Sequence, residues 1–182
     1  MEPILTLRLI TSLAVLPLLA ACTTNIHAKD DTIKPSTVRL GTFPSVVVRP
    51  LAVEKSGNDE GDKLAIKRIE ETLTQCLKSV FPTSTVSADA PAAAGTLIVE
   101  PAIEDLKKVN SGERFFGGAM AGSSAVLLRT RYRDGATGTA VAEPVFYAKA
   151  DAMGGAWSFG ATDNAMLQRI STLACDYAKQ NY

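Results

Sequence analysis

Two stretches of this chain, about a hundred residues apart, repeat apolar side chains at helical spacing, and each contains one cysteine. In the first, Leu64, Ile66, Ile69, Leu73, Cys76, Leu77 and Val80 recur every three or four positions until Pro82 stops the run; Asp62 reads as its cap. In the second, about 163–180, Met166, Leu167, Ile170, Leu173, Ala174 and Tyr177 fall on one side, and Cys175 lies in the same stretch. An apolar stripe must be buried against something, so the sequence between the two helices has to supply a partner layer.

That layer reads as a sheet. Residues 38–53 are rich in Val and interrupted by Pro, which predicts a strand around Val46 to Val48 with an irregular approach. Residues 83–95 are Ser, Thr, Ala and Pro rich and read as a loop with at most a short strand near Val86. The run "GTLIVEPAIEDL" is extended, with Pro101 marking a bulge or an edge. Ala125 to Arg133 and Thr139 to Asp151 read as a hairpin closed by Asp134-Gly135-Ala136-Thr137-Gly138. The order β, α, several β, α predicts an α+β domain: a single mixed or antiparallel sheet of about four to five strands with both amphipathic helices packed on one face.

Within the hairpin, Arg129, Arg131 and Arg133 alternate and so line one face, with Val126, Leu128, Thr130 and Tyr132 on the other. Placing Arg133 opposite Thr139 sets Arg129 opposite Glu143, the cross-strand pairing of a solvated face, the alternative being a surface for a polar ligand or a partner.

The amino terminus has a separate logic. Residues 9–21, "LITSLAVLPLLAA", have the length of a signal h-region and fall short of the roughly 20 residues of a spanning helix. The following Leu19-Ala20-Ala21-Cys22 resembles the bacterial lipobox, which implies removal of 1–21 as a signal peptide and acylation of Cys22. Thr23 after the cysteine implies sorting to the outer membrane. Residues 22–37 then read as the lipidated Cys and a flexible, polar tether, and 38–182 as the single α+β domain. His27, the sole histidine, lies in the tether, a poor place for a catalytic imidazole. In an oxidising periplasm Cys76 and Cys175 read most simply as one disulfide, the alternative being two buried free thiols; their spacing does not suit a metal.

The charge balance excludes more. Nineteen basic and nineteen acidic side chains argue against nucleic acid as a partner. The segment "GERFFGGAMAGSS", 112–124, has the glycine spacing of a phosphate loop at Gly117 and Gly122, but Ser123 stands where the loop needs Lys. The uncharged run from Phe115 to Leu128 is short for a spanning helix and long enough for one strand of a barrel built by many subunits. Trp157 and Phe159, in the glycine-bounded "GGAWSFG", read as a plug over the sheet or as a partner contact. No pair of acids is singled out for catalysis, and no cofactor or metal is implied.

From about Gly95 to Tyr182 the chain resembles a family of proteobacterial outer-membrane lipoproteins of unknown function. The resemblance rests on Arg114, Phe115, Phe116, Gly117, Gly118, Gly122 and Ser123 before a strand, and on Asp134, Thr137 and Gly138 in the turn that ends it, with Gly135 inserted. It implies a compact α+β domain on a lipid anchor and no catalytic residues. The expected function is a non-catalytic envelope scaffold or assembly factor, not an enzyme, held to the membrane by its lipid and meeting an envelope protein partner through Phe115, Phe116, Trp157 and Phe159. The alternatives are a subunit of an oligomeric outer-membrane secretion channel and, more weakly, a periplasmic hydrolase or cell-wall binder.

Overall fold

The computed structural model describes residues 26–28, 33–57, 59–89, 93–109, 123–150 and 161–182. In chain order the elements are β1 (Ser45–Val48), β2 (Ala52–Val53), α1 (Glu60–Val80), β3 (Thr85–Val86), β4 (Thr96–Lys107), β5 (Ala125–Asp134), β6 (Ala140–Ala142), β7 (Val145–Lys149) and α2 (Ala161–Gln180), preceded by a single 3-10 turn at Leu40–Thr42. The fold is α+β with a mixed sheet. β1 runs parallel to β3 and β4, β2 runs parallel to β4, and β5 runs antiparallel to β4 on one side and to β6 and β7 on the other.

The sheet has seven strands, not four to five, and prolines account for the difference. The order is β3-β1-β4-β5-β6, with β2 beside β4 and β7 beside β5. Pro50 lies between β1 and β2, and Pro144 between β6 and β7, so two extended runs are each cut in two because proline cannot donate to the ladder. Pro101 obeys the same rule inside β4. The carbonyls of Val99 and Ile103 accept the N–H groups of Arg49 and Glu54 (both 2.8 Å), and Pro101 falls between them, opposite the break. A register shift between Ile103 and Asp105 adds a bulge two residues on.

α1 begins a turn earlier than its sequence suggests. Asp59, not Asp62, is the cap: its Oδ1 accepts the Asp62 N–H at 2.7 Å. The buried stripe is Ala65, Ile69, Leu73, Leu77 and Val80, with Cys76 partly buried beside it. Leu64, assigned to that stripe from its spacing, is 66% exposed. It falls on the same side as Arg68 and Glu71, which face water. On α2, Leu173 is likewise exposed, while Met166, Leu167, Ile170, Ala174, Cys175, Tyr177 and Ala178 are buried.

Both helices cover one face of the sheet. Val46, Val48, Leu97, Val99, Ile103, Val126, Leu128, Tyr132 and Phe146 join the helical stripes in one core. Tyr177 stacks near Tyr132 and Phe146 with ring centroids 5.8 and 5.9 Å away. Small side chains on α2 allow close approach to α1: the Ser171 hydroxyl reaches the carbonyls of Leu167 (3.3 Å) and Ile69 (3.5 Å). Cys76 of α1 and Cys175 of α2 are joined by a disulfide, with Cα atoms 6.0 Å apart.

The hydrogen-bonded part of the chain reaches back before Val38. Tyr177 donates to the Lys34 carbonyl (2.7 Å), the Ser36 N–H to Asn181 (2.8 Å), and the Thr37 N–H to the Val141 carbonyl (2.9 Å). Ile26, further upstream, is 5% exposed.

The β5–β6 turn is built by side-chain chemistry. Asp134 Oδ1 accepts the N–H groups of Ala136 and Thr137, and Gly138 takes a φ of +71° that other residues resist. Gly135 donates to the Thr96 carbonyl at 2.7 Å, and a Cβ there would come within 2.8 Å of the Ala93 and Thr96 carbonyls.

Candidate functional site

Among the described residues, only Ile26 lies over the sheet face that the helices leave free, and that face divides into two zones. Side chains opposite each other in the ladder share a face, so the rows can be read from the register. Glu100 opposite Arg131, and Ala102 opposite Arg129 and Val145, make the charged middle. Asp105, Leu127 and Tyr147 form the next row, and Lys107, Ala125 and Lys149 the last.

In the charged zone every arginine is engaged. Arg129 meets Glu54, Glu104 (3.2 Å) and Glu143 (3.1 Å); Arg131 meets Glu143 (2.7 Å); Arg133 meets Glu100 (2.5 Å). The Arg129–Glu143 contact expected from the hairpin is present, though in a different register. Arg133 pairs with Ala140, Tyr132 with Ala142 and Arg129 with Val145, with a bulge between the first two. Past that bulge the slip is two residues, which preserves the face. The partners Glu54, Glu100 and Glu104 come from β4 and the end of β2, a long-range pairing that spacing within the hairpin does not reveal.

Arg129 is 19% exposed and Glu104 16%, so this network is better shielded than an ordinary surface ion pair. The hydrogen bond from Arg131 holds the Glu143 carboxyl below the usual range against the opposing effect of burial, with a further contribution from Arg129. Arg131 is correspondingly held above the ordinary guanidinium value, chiefly by Glu143. Four carboxylates set against three guanidiniums make a polar surface in which each of these arginines is paired.

The second zone is apolar. Ala125, Leu127 and Val145 are buried with Tyr147 packed against them, and Ile26 lies over this cluster. Burial raises the Tyr147 phenol pKa. Beside Ile26 a cleft of about 280 Å³ opens between Lys55–Gly57 and Asp105–Lys107, with Lys55 bonded to Asp105 at 2.7 Å. The sequence reads Ile26 as part of a polar tether and does not reveal this contact; that segment has two isoleucines, and spacing does not distinguish Ile26 from Ile33, which is exposed.

Of the residues singled out by sequence, the structure joins Cys76 and Cys175. Cys22, Phe115, Phe116, Trp157 and Phe159 lie outside the described residues. His27 is exposed. The flanks of the two aromatic segments meet at one end of the sheet: the Val109 N–H donates to Ser124 Oγ (3.0 Å), and the Ala150 N–H to the Ser124 carbonyl (2.9 Å). Among the described residues, no group of three or more His, Cys, Asp or Glu is placed to hold a metal ion. No described helix is long and apolar enough to cross a membrane.

No family model and no curated protein matches the chain. Several solved structures are similar at low identity. A PelC dodecamer from Paraburkholderia phytofirmans is 11% identical, with 75% of this chain and 92% of that one covered and a TM-score of 0.45. Protein XCC0632 from Xanthomonas campestris is 13% identical, with 82% and 96% covered and a TM-score of 0.42. Lipoprotein GNA1162 from Neisseria meningitidis is 11% identical, with 74% and 97% covered and a TM-score of 0.40.

Proposed function

We propose that this chain is an outer-membrane lipoprotein, anchored through acylated Cys22, that works by contact with other envelope proteins and not by catalysis. The observation that carries this reading is the open sheet face. One side of the sheet is closed by α1 and α2, while the other presents a ladder of partly exposed Arg–Glu pairs beside an Ile26-capped apolar cluster with Tyr147 at its edge. Arginine and tyrosine set in a polar, charge-matched rim are the chemistry of a protein-binding surface. The Glu143 carboxyl is held below its usual range by Arg131, which favours its ionised form and suits it to pairing rather than to proton transfer.

A role as a channel subunit would require Phe115 to Leu128 to enter the membrane. Its last four residues, Ala125 to Leu128, are buried in β5 and paired with β4 and β7, so that transition would dismantle the centre of the sheet.

The test is photocrosslinking in intact cells. A probe in place of Arg131 is expected to give a discrete protein adduct, and one in place of Lys67, exposed on α1, is not. Equal labelling from both positions, or none from Arg131, would overturn the assignment of this face.

A further inference from the structure

We propose that the domain does not hang freely on its acylated amino terminus but is seated on the bilayer, with the Ile26-capped end of the open sheet face toward the phospholipid headgroups. The inference rests on the lipid-anchor reading of Cys22 and deepens it by fixing an orientation.

Ile26 is packed with Ala125, Leu127 and Val145 on that face. Only three residues lie between it and position 22, and the four steps of fully extended chain from 22 to 26 span at most about 14 Å. If residues 22–37 were all free, the same arithmetic would allow about 50 Å between lipid and domain. The buried isoleucine removes most of that slack. A lipid at Cys22 therefore holds the Leu127–Tyr147 end of the sheet within roughly a headgroup layer of the acyl chains.

The surface presented there suits the occupant. Lys107 and Lys149 flank Ala125 in the last row of the sheet, and Tyr147 lies in the row behind. Lysines reach headgroup phosphates while their stems lie along apolar surface, and a half-buried tyrosine beside them is a side chain favoured at a membrane–water boundary. Lys55 is offset by Asp105, while the last described row of the open face, Lys107, Ala125 and Lys149, carries two positive charges and no acid. The charge complements an anionic phospholipid surface.

The experiment uses the full, acylated protein in vesicles of phosphatidylethanolamine and phosphatidylglycerol. A benzophenone side chain is placed at Lys149 in one sample and at Lys67 in another, and phospholipid adducts are counted by mass. Adducts from Lys149 are expected in at least severalfold excess over Lys67. Ile26→Asp is expected to abolish that excess while the protein stays on the vesicles, because the acyl chains still hold it. Equal yields at the two positions in protein that carries its lipid, or an excess unchanged by Ile26→Asp, would overturn the seating and leave the anchor standing. A chain whose Cys22 has no lipid and which fails to float with the vesicles would instead overturn the anchor, and the seating with it.

Discussion

Tyr132 is fully buried, and its hydroxyl has no hydrogen-bond partner among the described residues; burial drives its pKa well above the ordinary phenol value. A buried polar group left unpaired costs about 1–3 kcal/mol. Tyr132→Phe, which keeps the ring against Tyr177, is therefore expected to stabilise the fold by up to about 1 kcal/mol in urea titration. A loss of similar size would mean that the hydroxyl has a partner. Asp62 poses the opposite problem, because its charge is forced. Burial first, and then Asp59, raise its pKa against the pull of Lys108 and a hydrogen bond from the Asp59 backbone. The folded state thus binds a proton more readily than the unfolded chain, and stability falls as pH rises from the unfolded carboxylate value through the raised one. Asp62→Asn should melt higher than the parent at neutral pH, and the gap should close below about pH 4, where both side chains are neutral. A gap that persists in acid would contradict this origin. Sequence alone marked Asp62 as a cap because an acid ahead of an apolar run has that signature; it could not show that Asp59 takes the role and leaves Asp62 buried.

The elements were legible where one chemical rule governs them. Both helices, the β5 turn and the strand at Val46–Val48 follow from periodicity and Asp/Gly turn chemistry, since each depends on neighbours within a few positions. The strand count was not legible: Pro50 and Pro144 cut extended runs without ending the sheet columns they belong to, a distinction that only cross-strand partners make. Leu64 misled because helical spacing tolerates two neighbouring stripes until a partner layer selects one. The charged ladder was half legible, with Arg129–Glu143 inferable within the hairpin and Glu54, Glu100 and Glu104 supplied from strands distant in sequence. Glu143 has a lowered pKa, so its contribution is full above the unfolded carboxylate value and is lost as pH falls through the lowered one. Glu143→Gln is expected to cost at most about 1 kcal/mol at neutral pH, given its 38% exposure, and progressively less in acid. A cost independent of pH would point to packing instead. The α1–α2 disulfide closes a separation of 99 residues, for which the loop-entropy relation gives an upper figure of about 4–5 kcal/mol. Replacing Cys76 and Cys175 by Ser should lower the urea midpoint substantially and remove its sensitivity to reductant; an unchanged midpoint would argue for two thiols in the parent protein.

Across the whole molecule, the division of labour follows from a two-layer fold. A single sheet can hide only one face under two helices, and the other face must be either polar or covered. Here it is both: compensated by the ladder over its middle and capped by Ile26 at one end. Val109, Ser124 and Ala150, the described residues next to the two aromatic segments, lie at that same end. That one face would be left to the arginines was legible from their alternation; the acids of β4 and of the end of β2 that pair with them were not. An envelope protein working through this face needs the chain to be held at the membrane, and that requirement converges on Cys22. The most direct measurement is the intact mass of the mature protein isolated from its native membrane, with fragmentation of its amino terminus. The account predicts a chain that begins at Cys22 and carries a diacylglycerol thioether. An unmodified Cys22, or residues 1–21 still attached, would contradict it.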